Sequence, residues 1–191
     1  MTDLTKLKEA NTTRWHSAKI RPVFMHLAEH VAHGLVQAKT RYQIVQDKTN
    51  VPWPVIAVIH ERESTQSWAA SLAQGDPWDH MSIHVPRGRG PFHSWEEAAM
   101  DALKVCPPHA ADWHDWSIGG VLTLLEQYNG LGYFHMERPS PYVWSGTDQY
   151  NRGKYIADGH YDQHAVDKQL GCATLLMVMK QIDPSIEGEF T

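Results

Sequence analysis

A segment punctuated by glycine and proline, residues 65–93, interrupts a chain whose other patterns are mostly helical. Within it, the alternation in HMSIHVP predicts a strand with Met81, Ile83 and Val85 on one side. We therefore expect a small β-hairpin lobe at about 65–93, placed between helices. This predicts a mainly α (α+β) fold in which residues 1–191 form a single domain, a length within the usual range for one.

Helical patterns lie on both sides of this segment. Hydrophobic spacing predicts mostly helix over residues 3–36, with a break at Pro22, because proline is tolerated only in the first turn of a helix. Ser94 followed by Glu97 has the pattern of a capping box, and Asn129-Gly130 that of a helix C-cap. The other helices are expected at 41–49, from about Pro52 to Ser64, at 94–105, at 117–130 and at 162–182.

Charge and composition exclude several classes of function. The formal net charge of −5 gives no global basic field, so we expect no nucleic-acid partner. No run of 18 apolar residues is present, so membrane insertion is not expected. The polar start lacks a secretory signal pattern, which predicts synthesis in the cytoplasm. The two cysteines, Cys106 and Cys172, are expected to be reduced, buried thiols. We expect a monomer without a cofactor.

Two glutamates lie close together in the stretch VIAVIHERESTQSW, residues 55–68. At about 100° per residue, Glu63 falls on the flank of the apolar stripe of the helix, whereas Glu61 falls almost opposite that stripe. We therefore expect Glu61 to be solvated and Glu63 to lie beside the core. Burial and the negative end of a helix both favour a protonated carboxyl, which is the form that a general acid needs. The structural alternative is that Glu63 forms an ion pair with Arg62 or caps a neighbouring loop.

Several motifs carry a resemblance to a known family. They are Glu63-Ser64 at the end of an apolar helix, Tyr128-Asn129-Gly130 at the end of another, and the segments IHERES, GDPWDHMSIHVP, PFHSWEEAAMDAL and SPYVWSGTDQYNRGKY. Over roughly residues 40–180 the chain resembles the lysozyme-like superfamily, in particular goose-type lysozymes, soluble lytic transglycosylases and small phage endolysins. The Gly-Leu-Met-Gln element of the transglycosylases is absent, and the corresponding region reads LAQGDPW.

The resemblance implies a muramidase that cleaves the β-1,4 bond between N-acetylmuramic acid and N-acetylglucosamine in peptidoglycan. It implies that Glu63, followed by Ser64, is the general acid. Such cleavage commonly uses a second carboxylate, for which Asp76 is the candidate and Asp79 the reserve. A turn-forming role is the alternative for Asp76, because Gly-Asp-Pro is a common turn sequence.

Aromatic and polar residues are candidates for sugar contact, because sugars stack on flat apolar rings with polar rims. Core packing is the alternative for each aromatic side chain. The predicted substrate-binding residues are Ser64, His84, Tyr128, Asn129, Tyr133, Tyr142 and Trp144.

Three other functions stay open at this point. A lytic transglycosylase would cut the same bond and leave an anhydro sugar. A zinc metallopeptidase is the second alternative, because HLAEH places His26 and His30 on one helix face, as in inverted zinc peptidases. A non-catalytic wall-binding module is the third. An endolysin would act in the periplasm or cell wall and could be released there through a holin.

Overall fold

The computed structural model describes residues 4–73, 75–84 and 86–190. It is mainly helical with one small antiparallel hairpin, which confirms the predicted fold class. The helices are α1 (Thr5–Ser17), α2 (Pro22–Gln37), α3 (Lys39–Thr49), α4 (Trp53–Ser64), α5 (Trp95–Lys104), α6 (Ile118–Asn129), α7 (Gly132–His135), α8 (Pro141–Trp144) and α9 (Cys172–Ile182). Two 3-10 turns span Ala110–Asp112 and Pro184–Glu189, and the hairpin strands are β1 (Lys154–Ala157) and β2 (His160–Asp162).

The chain divides into two compact units. The first unit runs up to His33 and resumes at Asp115, and the second unit runs from Gly34 to His114. Within the second unit, α3 packs against both α4 and α5. Within the first unit, α6 packs against α1, α8 and α9.

Helix α4 is the most deeply buried element of the second unit. Every residue from Trp53 to Glu61 is buried, so the helix has no polar face along its first nine residues. It ends because Thr65 and Gln66 both adopt left-handed backbone angles, with φ of 53° and 60°. Their amides donate to the carbonyls of Glu61 and His60, which satisfies carbonyl groups that the helix end leaves open.

The predicted helix caps are confirmed in both units. The Ser94 hydroxyl accepts from the Glu97 amide, and the Glu97 carboxylate in turn accepts from the amide of His93 rather than from that of Ser94. Helix α6 ends at Asn129, followed by Gly130 with a φ of 95°. Pro22 is the first residue of α2, at the predicted break.

The location of the hairpin was predicted incorrectly. Strands β1 and β2 lie at 154–162 and pair with Lys154 opposite Asp162. In the described part of 65–93, the backbone is irregular and carries only an isolated bridge between Ala70 and Pro77. Met81 and Ile83 are exposed rather than aligned on a buried strand face, and Val85 lies outside the described residues.

The limits of two predicted helices also differ from the structure. The last helix begins at Cys172, so the expected segment 162–171 is not helical. Gly171, the residue before that start, has an extended backbone that packs against Val143 and Ser145, where a side chain would have no room. The helical pattern expected over 3–36 is broken before Pro22, as predicted, with residues 18–21 non-helical, and Asp3, at its expected start, lies outside the described residues. Across the ranges that the structure covers, no helix is long and apolar enough to cross a membrane.

Candidate active site at the end of helix α4

The structure reverses the expected environments of the two glutamates. Glu61 is only 4% exposed, and its Oε2 accepts from the Gln66 amide group at 2.9 Å. Glu63 is partly exposed, one residue before the end of α4. The helical wheel placed Glu61 in solvent because it considered one apolar stripe, whereas α4 is buried on every side as far as Glu61. Glu63 is therefore the accessible carboxyl of the pair.

The turn that follows Glu63 is held by a buried histidine. The ring of His60 lies 2.9 Å from the Tyr42 hydroxyl through Nδ1 and 3.0 Å from the Ser67 carbonyl through Nε2. Because a carbonyl only accepts, Nε2 carries the proton and Nδ1 accepts from Tyr42. Burial lowers the pKa of His60 to about 4, so the ring stays neutral near pH 7. The neutral ring ties the residues after Glu63 to the core of the second unit.

Four rings form an aromatic cluster around this histidine: Tyr42, His60, Trp68 and Trp95. The centroids of Trp68 and Trp95 are 4.6 Å apart with nearly perpendicular planes, and both indoles lie within 5 Å of the His60 ring. The Arg41 guanidinium lies 4.0 Å from the centroid of Trp68 and forms an ion pair with Glu96. This packing gives the end of α4 a rigid base.

A close backbone approach brings the irregular segment to Glu63. A Cβ atom built on Gly75 would lie 3.0 Å from the Glu63 carbonyl oxygen, and Gly75 has a φ of 71°. Both facts favour glycine at this position. Asp76 follows directly in the chain, so the structure brings the predicted acid and the predicted second carboxylate into the same region of the second unit.

The carboxylate of Asp76 is fully engaged by its own loop. Oδ2 accepts from the amides of Ile83 at 2.9 Å and His84 at 3.0 Å, and Oδ1 lies 2.5 Å from the Nδ1 of His84. The His84 amide and ring, together with the Ile83 amide, hold the pKa of Asp76 below its usual value. These contacts favour a positioning role for Asp76, and its direct action on a sugar stays a prediction.

Substitution of Gly75 by alanine tests the approach to Glu63, with Gly88→Ala as the matched control. Both glycines have a positive φ, but a Cβ on Gly88 meets nothing within 4 Å. We expect Gly88→Ala to cost about 1 kcal/mol from backbone strain alone and Gly75→Ala to cost about 2 to 3 kcal/mol. Urea unfolding measures both values. Equal losses would show that the contact with Glu63 contributes nothing.

The remaining predicted substrate contacts have mixed outcomes. The Ser64 hydroxyl donates to the His60 carbonyl at 3.0 Å, so it supports the helix end. In the first unit, Tyr128 is half-buried and Asn129 is exposed, which leaves both accessible. The reserve residue Asp79 is exposed and pairs with the ring of His80.

Three aromatic residues of the first unit pack in the core instead. Tyr133, Tyr142 and Trp144 are buried. Trp144 donates through Nε1 to the Asn11 side chain, and the Tyr133 hydroxyl accepts from the Tyr155 amide. Their burial corrects the expectation of sugar contact for these three residues, in favour of the packing alternative.

A further carboxyl was not identified from the sequence. Glu126 of α6 is 0% exposed, and neither of its oxygens has a hydrogen-bond partner of normal geometry. Burial raises its pKa to about 7, although Asn11 and the positive charge of Arg14 on α1 act in the opposite direction. The apolar pattern of SIGGVLTLLEQYNG on both sides of Glu126 is the signal that could have identified it.

Within the part of the chain that the structure describes, the histidine pair of α2 is not joined by further metal ligands. His26 and His30 are exposed on the first unit. Among the described residues, no group of three or more histidine, cysteine or acidic side chains is arranged to hold a metal ion. The buried positions of α2 are Ala28, Ala32 and Leu35, whereas Val23 and Leu27 are exposed.

Cys106 and Cys172 are both buried, reduced thiols. Burial raises the pKa of the Cys106 thiol, which disfavours the reactive thiolate. Comparisons of the chain with protein-family models, curated proteins and solved structures find no match.

Proposed function

We propose that this protein is a muramidase that cleaves the β-1,4 bond between N-acetylmuramic acid and N-acetylglucosamine in peptidoglycan, with Glu63 as the general acid. The proposal rests on the different environments of Glu61 and Glu63 at the end of α4. Glu63 is accessible one residue before the helix end, whereas Glu61 is covered and bound by Gln66. A substrate can therefore reach only one of the two carboxyls.

The chemistry of glycoside cleavage matches this position. The leaving oxygen needs a proton donor held rigidly beside the scissile bond, because the reaction passes through an oxocarbenium-like transition state. Glu63 is held by a helix whose preceding residues are buried, and the following turn is anchored by His60 through the Ser67 carbonyl. A carboxyl in a fixed position suits a general acid, because the acid must protonate one particular oxygen of a large, insoluble substrate.

The substrate class rests on the resemblance described above. Tyr128 and Asn129, which resemble part of the sugar-binding element of the lytic transglycosylases, are accessible in the first unit. We propose that they contact the glycan strand and that the protein acts in the periplasm or cell wall, as an endolysin does. A lytic transglycosylase that cuts the same bond is the alternative reaction of this site.

Mass spectrometry of the products tests the proposed bond and reaction together. We expect the purified protein to release disaccharide-peptides from peptidoglycan with a hydrolysed N-acetylmuramic acid end. Products that carry an anhydro end would establish the transglycosylase reaction instead. Release of peptides from an intact glycan, or no release at all, would refute the proposed function.

A further inference from the structure

The imidazole of His84 is paired with a nearly buried carboxylate. The side chain of Asp76 is only 10% exposed, whereas that of His84 is 68% exposed. Their contact, between Oδ1 and Nδ1, measures 2.5 Å. The same carboxylate also accepts from the backbone amide of His84, so the ring and the main chain of this residue are held by one group.

This arrangement determines which ring nitrogen is available. An ionised carboxylate only accepts hydrogen bonds, so Nδ1 of His84 carries the proton that points to Asp76. The other nitrogen, Nε2, then has a lone pair on an exposed side chain. A carboxylate behind an imidazole fixes its tautomer and orientation, and it stabilises the imidazolium that forms when the ring accepts a proton.

The pair belongs to the region of the proposed acid. Asp76 directly follows Gly75, whose backbone approaches the Glu63 carbonyl closely. The charged group that contacts His84 is Asp76. Among the other charged side chains of this loop, Arg89 is bound to Asp101 of α5, Asp79 is paired with His80, and Arg87 is exposed.

We propose that His84 is the general base of this site and that Asp76 is its positioning residue. The inference rests on the proposed muramidase function and extends it. Nε2 of His84 removes a proton from a water molecule while the water oxygen bonds to the anomeric carbon of N-acetylmuramic acid. The bond from that carbon to the leaving oxygen breaks, and Glu63 gives its proton to that oxygen.

The step is balanced and has a stereochemical consequence. One water is consumed, and the products are a free N-acetylmuramic acid end and a free 4-hydroxyl on N-acetylglucosamine. Glu63 is left as a carboxylate and His84 as an imidazolium, and solvent returns the proton to Glu63. Because water attacks opposite the leaving group in one displacement, the first product has the inverted, α configuration.

Kinetics of His84→Asn across pH test the role of the base, with His80→Asn as the matched control on the same loop. We expect His84→Asn to lower kcat by about 10²- to 10⁴-fold with little change in KM, as for loss of a general base. The low-pH limb of the kcat/KM profile should disappear, because that limb reports protonation of the base. Asp76→Asn should lower kcat with little change in KM, because Nδ1 of His84 loses the acceptor that fixes its tautomer and orientation.

Further measurements separate this inference from the proposed function. Added imidazole should restore part of the activity of His84→Gly, a result that a merely structural role of His84 does not predict. If Glu63→Gln inactivates the protein but His84→Asn leaves kcat and the low-pH limb unchanged, His84 is not the general base. The proposed muramidase function would then still hold. A first product of retained configuration, or one with an anhydro end, would also overturn it. No peptidoglycan cleavage by the wild-type protein would overturn both.

Discussion

Replacement of Glu63 by glutamine is expected to reduce the lysis of a peptidoglycan suspension by about 10²- to 10⁴-fold, the usual contribution of a general acid. Glutamine has nearly the same shape and can still accept and donate hydrogen bonds, but it has no proton to give to a leaving oxygen. Loss of turbidity measures lysis, and sedimentation with insoluble peptidoglycan measures binding. We expect binding to the wall and the unfolding midpoint to stay close to those of the wild-type protein.

Glu61→Gln is the matched control, because it makes the same chemical change two residues earlier on the same helix. Glu61 is buried and bound by Gln66, so the substitution should affect stability and leave lysis within a few-fold of wild type. Unchanged lysis by Glu63→Gln would remove the acid assignment. If only Glu61→Gln loses lysis, the general acid would be Glu61 instead of Glu63.

Replacement of Glu126 by glutamine is expected to stabilise the protein at neutral and higher pH. Burial raises the pKa of Glu126 to about 7 from an ordinary value of 4.5. Between these values the unfolded chain releases a proton that the folded protein keeps, so the free energy of unfolding falls as pH rises. The stabilising effect of the raised pKa is complete below about 4.5 and lost above about 7, and it amounts to about 3 kcal/mol.

Urea unfolding of the wild type and Glu126→Gln between pH 4 and pH 8 measures this effect. Glutamine does not ionise, so the difference between the two free energies of unfolding should shift by about 3 kcal/mol in favour of the variant across that range. Glu9→Gln, which makes the same chemical change at an exposed position of α1, is the matched control for the substitution itself. A flat difference for Glu126→Gln would show that its carboxyl is not desolvated in the folded protein.

Local patterns predicted the helices well. Hydrophobic periodicity and helix caps depend on residues close together in the sequence. The N-cap at Ser94 and the helix end at Asn129-Gly130 could therefore be predicted from the sequence alone. The hairpin was misplaced because the alternation of Met81 and Ile83 resembles a strand, yet Asp76 binds the backbone of that loop instead. A side-chain contact across an irregular loop of this kind overrides a short alternating pattern, and no periodicity in the sequence indicates it.

The candidate site was only partly predictable for the same reason. The Glu-Ser motif selected Glu63, but the helical wheel misjudged Glu61, because a wheel assumes a solvent-facing side that α4 lacks along most of its length. The pairing of Asp76 with His84 depends on the path of an irregular loop, which no periodicity describes. Burial of Glu126 depends on the packing of α6 against α1, α8 and α9, which is a tertiary property.

The aromatic cluster gives the protein an internal optical reporter. The indoles of Trp68 and Trp95 are close and nearly perpendicular, so their electronic transitions couple and should give a distinct near-ultraviolet circular dichroism signal. Both rings contact His60, whose Nε2 holds the Ser67 carbonyl in the turn after Glu63. A displacement of that turn therefore changes the spectrum without any added label. The near-ultraviolet signal therefore offers a direct test of the proposed glycan binding at this end of α4, with Glu63→Gln as the variant expected not to cleave.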